Sequence, residues 1–110
     1  MPRLVSILLL SAALIIAVSL SGCDTTADRE LRRAERALNE ALEVNADSYA
    51  TDDYTAAEEL FQEAMELSRN NRIQEARAAA IKVKLRAEDA QRKAEERHRI
   101  LQDEMDRLGR

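Results

Sequence analysis

Residues 54–90 read YTAAEELFQEAMELSRNNRIQEARAAAIKVKLRAEDA, and two apolar stripes run through them. Tyr54, Ala57, Leu60, Phe61, Ala64, Met65 and Ser68 recur at three- to four-residue spacing, the period of one helix face. Ile73, Ala76, Ala80, Val83, Ala87, Ala90 and Ala94 do the same in strict alternation, which is a heptad seam. The polar stretch SRNNR, residues 68–72, separates them, so the segment predicts two helices joined by a tight turn. Charge supports their pairing. Residues 52–68 hold six acids and no base, whereas residues 69–86 hold six bases against Glu75 alone. Facing helices of opposite sign favour each other and disfavour self-pairing.

Working outward, the second stripe does not stop at Ala94. Leu101 and Leu108 keep its register, although Arg97 and Glu104 interrupt it. The third helix is therefore expected over 72–108, with Gly109 as its C-terminal cap. Asn71 is expected to cap its start, with Gln74 as capping-box partner. The second helix is expected over 52–69, capped by Thr51, with Asp52 and Asp53 favoured at the positive end of the helix dipole. Upstream, Leu31, Ala34, Leu38, Ala41 and Leu42 predict a first helix over about 28–46, capped by Thr26 or Asp28. Residues 45–54, NADSYATDDY, interrupt it, because Asn, Asp, Ser and Thr side chains compete with helical backbone bonds. Tyr49 and Tyr54 flank this break as staples across it.

The thirty-six residues 73–108 span about 54 Å as a helix, twice what the second helix can cover. An antiparallel hairpin therefore leaves about 91–108 overhanging. Glu88/Arg92, Asp89/Lys93, Glu95/Arg99 and Asp103/Arg107 are i,i+4 pairs in the better orientation, each contributing ~0.2–0.5 kcal/mol to keep that segment helical. Ile100, Leu101, Met105 and Leu108 would stand there without a covering helix, as candidate residues for self-association or for an envelope partner through residues 91–108.

The totals fit this all-α reading. The chain has 110 residues, with 35% charged, 3% aromatic, two Gly and one Pro. Ala, Glu, Arg and Leu dominate, as in long helices and coiled coils. The formal charge of −4 with no Trp excludes an ordinary nucleic-acid binder, which needs a basic field and stacking platforms.

No catalytic constellation emerges, and the chain is read as a non-enzyme. His98, the one histidine, has no converging metal ligands at helical spacing. Adjacent carboxylates such as Glu58-Glu59 point apart on a helix and form no acid/base dyad. No serine has a His or Lys arrangement that would make it a nucleophile.

The N-terminal part raises a different question. Leu4 to Leu20, LVSILLLSAALIIAVSL, is uncharged and follows Met1-Pro2-Arg3, a minimal positive n-region. It is marginal for a membrane span and suits an export signal. The chain has one cysteine, so Cys23 has no disulfide partner within it. Leu20-Ser21-Gly22-Cys23 resembles the lipobox of bacterial lipoproteins. That resemblance implies a diacylglycerol thioether on the Cys23 sulfur, cleavage between Gly22 and Cys23, and an N-acyl chain, commonly palmitate, on the new terminus. Apart from that covalent lipid, no cofactor is expected. An uncleaved signal anchor is the alternative, and both readings tether an exported domain. Two or more acyl chains would make the anchorage stable, at ~0.8 kcal/mol per buried CH₂. Asp24 is a sorting candidate, since an Asp there resembles an inner-membrane retention signal. Thr25 does not strengthen it, and inner versus outer membrane stays open. The expected organisation is a signal peptide over 1–22, lipidated Cys23 and linker over 23–27, and a helical domain over 28–110.

The stretch ALNEALEVNADSYATDDYTAAEELFQEAMEL followed by NNRIQEARAAAIKVKLRAEDA, residues 37–67 and 70–90, resembles the bacterial lipoprotein domain of unknown function 4398. The likeness rests on an Ala-rich helix, the Tyr49-Ala50 step, a helix with spaced Ala and Leu, a polar turn and a third Ala-periodic helix. That family often has Pro where this chain has Thr51. The resemblance implies an exported envelope protein facing the periplasm and no catalytic residues. Some members carry a peptidoglycan-binding domain, and no such domain fits here. The hairpin also looks like a tetratricopeptide-type pair, but one pair is not a stacked array. The expected role is a lipid-anchored structural or interaction module of the cell envelope. The alternative is a small peptide- or ligand-binding carrier using a tetratricopeptide-like groove.

Overall fold

The structure is a computed structural model and describes residues 26–109. The leader, Gly22, Cys23 and Asp24 lie outside the described residues. Four helices follow in order: α1 (Asp28–Glu43), α2 (Ala46–Tyr49), α3 (Thr51–Arg69) and α4 (Ile73–Leu108). Among the described residues there is no strand. The all-α expectation holds, with one short helix more than the sequence suggested.

Cross-helix contacts give the directions. The Arg77 guanidinium of α4 donates to the Thr26 carbonyl at 2.9 Å and lies 3.9 Å from the Glu30 carboxylate of α1. The start of α1 thus lies beside the start of α4, and the two helices run parallel. Asp53, at the start of α3, reaches Arg86 at 3.8 Å and Lys93 at 2.6 Å. So α3 runs antiparallel to α4. The chain goes up through α1, down through α3 and up again through α4. Both α1 and α3 pack against one face of α4, and α1 touches α3 as well.

That face is alanine. Fourteen of the seventeen buried apolar residues in the described part are Ala, and the exceptions are Leu38, Tyr54 and Val83. On α4 the buried set is Ala76, Ala79, Ala80, Val83, Ala87, Ala90 and Ala94. Apart from Ala79 and the half-buried Ile73, this is the seam read from the sequence. A methyl side chain adds little apolar area but lets helix backbones approach at the short end of the usual 8–10 Å range. The larger apolar groups Leu31, Leu60, Phe61 and Leu67 are half-buried and pack around this strip. Leu42, expected on the inner face of α1, is instead 42% exposed, and Ala37 takes the inward place.

The two turns use asparagine in the left-handed region, which Asn tolerates better than most residues. Asn71 has φ 61°, the Arg72 amide donates to the Leu67 carbonyl at 2.9 Å and the Asn71 amide to Ser68 at 3.1 Å. This is a Schellman closure of α3. Asn71 therefore ends α3 and does not cap α4, whose N-cap is Arg72 with no side-chain cap bond. The turn is too short for one residue to serve both helices. Instead Arg72 pairs with Glu75 at 2.6 Å on the surface.

Asn45, with φ 59°, ends α1 earlier than expected. The polar break then coils into α2, because Ala46 and Ala50 bury their methyls against the bundle. Thr51 is likewise not a cap. It is the first residue of α3, and its hydroxyl donates back to the Asp47 and Ser48 carbonyls at 2.9 and 3.3 Å. Neither Thr26 nor Asp28 caps α1; the N-cap is Ala27, without a side-chain bond. Gly109 does close α4, through its amide to the Met105 carbonyl at 2.9 Å, but with φ −77° and not in the left-handed region.

Candidate interaction surface

The cover over α4 ends at α2. Ala94 is fully buried, Lys93 is held by Asp53, and the Tyr49 ring lies 6.1 Å from the His98 ring with the planes tilted by 55°. The overhang therefore starts beyond His98, not at residue 91. The α2 turn and the start of α3 cover the stretch that a bare hairpin would have left open. His98 is exposed but stands against Tyr49 at this boundary, as the last side chain of α4 that touches the bundle through an aromatic contact.

From there α4 continues for nearly three turns with every residue exposed. Ile100, Leu101, Met105 and Leu108 are 46%, 40%, 65% and 87% exposed. Leu101 and Leu108 stand seven and fourteen residues after Ala94, and Met105 lies between them at helical spacing. These three thus carry the buried seam past the point where its covering helices stop. Ile100 lies to one side. It joins Leu101 and Glu104 on one wall of an open groove, whose opposite wall is the 48–53 turn. Asp52 and Asp53 belong to the turn wall, and Lys93 and Arg97 to the α4 wall.

The charge pairs differ in detail from those read by spacing. Lys93 crosses to Asp53 and does not pair with Asp89, which takes Arg92 one turn away. Glu88 forms an ion pair with Lys84 at 3.7 Å. The cross-helix pairs at Asp53 join acid on α3 to base on α4, as the segregated charges implied. Their basic partners are more than half exposed, so each pair contributes less than ~1 kcal/mol and serves mainly to set register. Asp53 was legible in sequence as part of an acidic first turn; its position opposite Lys93 depended on the helix alignment.

Tyr54 sits just under this end of the bundle and is 7% exposed. Burial first, and then the neighbouring Glu58 carboxylate, push its phenol up to about 12. It is a buried core group that stays neutral at ordinary pH. Tyr49, its companion, is half-buried.

Among the described residues no group of three or more His, Cys, Asp or Glu could hold a metal ion. No described helix is long and apolar enough to cross a membrane. The arrangement offers a helical docking face and a neighbouring charged groove, both at the end of the bundle farthest from Thr26. No protein-family model, no curated protein and no solved structure matches this chain.

Proposed function

We propose that this chain is a lipid-anchored bacterial cell-envelope lipoprotein, related to the domain of unknown function 4398 group, that acts as a non-catalytic structural or interaction module. Cys23 is its anchor, carrying the diacylglycerol and N-acyl lipid, and the helical domain faces the periplasm. The observation that carries this reading is the placement of the two ends. Thr26, three residues after Cys23, is hydrogen-bonded to Arg77 at the base of α4. The apolar residues Leu101, Met105 and Leu108 lie at the other end. From the level of Arg77 to Leu108 the helix rises about 46 Å. A membrane held at one end and a docking face at the other is the layout of a tether. An alanine-rich seam suits that role too, since it lets the helices pack closely into a thin bundle.

The test is the intact mass of the membrane-extracted protein beside a Cys23→Ser version. The expected result is loss of residues 1–22 with added lipid mass in the natural chain, and neither change in the variant. An unmodified full-length mass would make residues 4–20 an uncleaved anchor and would overturn the lipoprotein assignment.

A further inference from the structure

The exposed end of α4 carries a seam and a charge order that match a second copy of itself in one orientation. On the seam face, Arg97 and Glu104 flank Leu101, one on each side along the helix and both on the same flank. A parallel partner would set Arg97 level with Arg97 and Glu104 level with Glu104, and like charges at facing positions are unfavourable. An antiparallel partner crossing at Leu101 sets Leu101 against its counterpart and Arg97 of each copy beside Glu104 of the other. Two-fold symmetry then makes each such contact twice. Further along, Leu108 and Arg107 of one copy reach the level of Ala94 on the other, where the groove opens. Its turn wall carries Asp52, of opposite sign to Arg107, beside Asp53, which Lys93 and Arg86 of the same chain already hold.

We propose that the free end of α4 pairs antiparallel with the same segment of a second copy, each C-terminal end seated in the groove between the 48–53 turn and α4 of the other. The proposal rests on reading this end as the interaction surface and names its partner. Covering Ile100, Leu101, Met105 and Leu108 on both copies removes on the order of 1,000 Å² of surface, the low end for a specific interface. The pairing is therefore a reversible one that depends on local concentration, which confinement to a surface raises. It also separates the two N-terminal ends. From the level of Arg77 to Leu101 each copy rises about 36 Å, so the paired molecule is a rod with its linkers about 72 Å apart at opposite ends, and two copies anchored in one membrane pair with the rod lying along its surface.

The test places a benzophenone photo-crosslinking residue at Met105 in the otherwise natural full-length chain and irradiates it in its own membrane. The expected product has twice the mass of the chain, and its crosslinked peptide maps to residues 93–99 of the second copy. Leu101→Asp in the same chain should lower that product at least tenfold. Leu85→Asp, which changes an exposed apolar residue on the opposite face of α4, should leave it unchanged. A product mapping to residues 103–107 of the second copy would overturn the antiparallel arrangement. An adduct with a different protein would overturn the self-pairing while leaving the tether reading in place. Absence of any adduct would overturn self-pairing as well. None of these outcomes depends on lipid at Cys23, which the intact-mass measurement reads separately.

Discussion

Among the described residues Val83 is the largest side chain that is fully buried, and its neighbours along the seam are methyl groups. Packing at this scale leaves almost no room for adjustment. Ala80, fully buried where α4 is covered by its neighbours, should not accept a larger group. Ala80→Leu is expected to destabilise the bundle by about 1–3 kcal/mol through overpacking. Ala78→Leu, at an exposed site on the same helix, should stay within about 0.5 kcal/mol of the natural chain. Urea denaturation of the two variants side by side checks this, and equal midpoints would contradict a close-packed alanine seam.

Tyr54 makes a second residue-level prediction. Its phenol lies near 12 in the folded chain, against 10.0 for the ordinary group. Between these values the unfolded chain loses the proton that the folded chain keeps. The unfolded state therefore binds fewer protons, and stability falls as pH rises. The contribution of Tyr54 is fully present below pH 10 and is lost progressively towards pH 12. A Tyr54→Phe variant should show a shallower decline over that window when thermal midpoints are compared. An identical slope would mean that Tyr54 ionises as an exposed phenol does.

Among the elements, α4 is two structures in one helix. Its first part, to about His98, is held by burial against α1, α2 and α3. Its last part is held by its own hydrogen bonds and by local charge. Removing residues 99–110 should therefore leave the bundle folded, with a stability loss of no more than about 1 kcal/mol from the lost i,i+4 pairs. The same truncation should abolish capture through the free end. Circular dichroism melting together with chemical crosslinking in membranes checks both halves. A collapse of the melting midpoint would mean that the overhang is part of the core after all. The turns behave oppositely. Both hold a single asparagine at positive φ: Asn45 follows α1 and is the N-cap of α2, Asn71 closes α3, and neither α2 nor α4 has a side-chain cap bond.

Seen whole, the molecule owes its helices to local pattern and its layout to packing. Residues 54–94 by themselves determined two helices, their seam and their antiparallel pairing, because period, breaks and segregated charge all point the same way. The uncharged run of residues 4–20, the single cysteine and the absence of a catalytic constellation are likewise sequence properties, and the proposed anchored, non-catalytic role rests on them. What only the tertiary structure decided is where α1 lies and how much of α4 it covers. Alanine stripes carry almost no information about which partner they face, since a methyl group fits against any close backbone. The same weakness hid the caps. Asn71 and Thr51 suit either a helix start or a helix end, and the backbone direction imposed by packing α3 onto α4 chose for them. The coiling of residues 46–49 into α2 followed from burying Ala46 and Ala50, a non-local contact that a polar sequence does not announce. That turn moved the start of the overhang from residue 91 to beyond His98, and so decided which apolar residues remain for a partner.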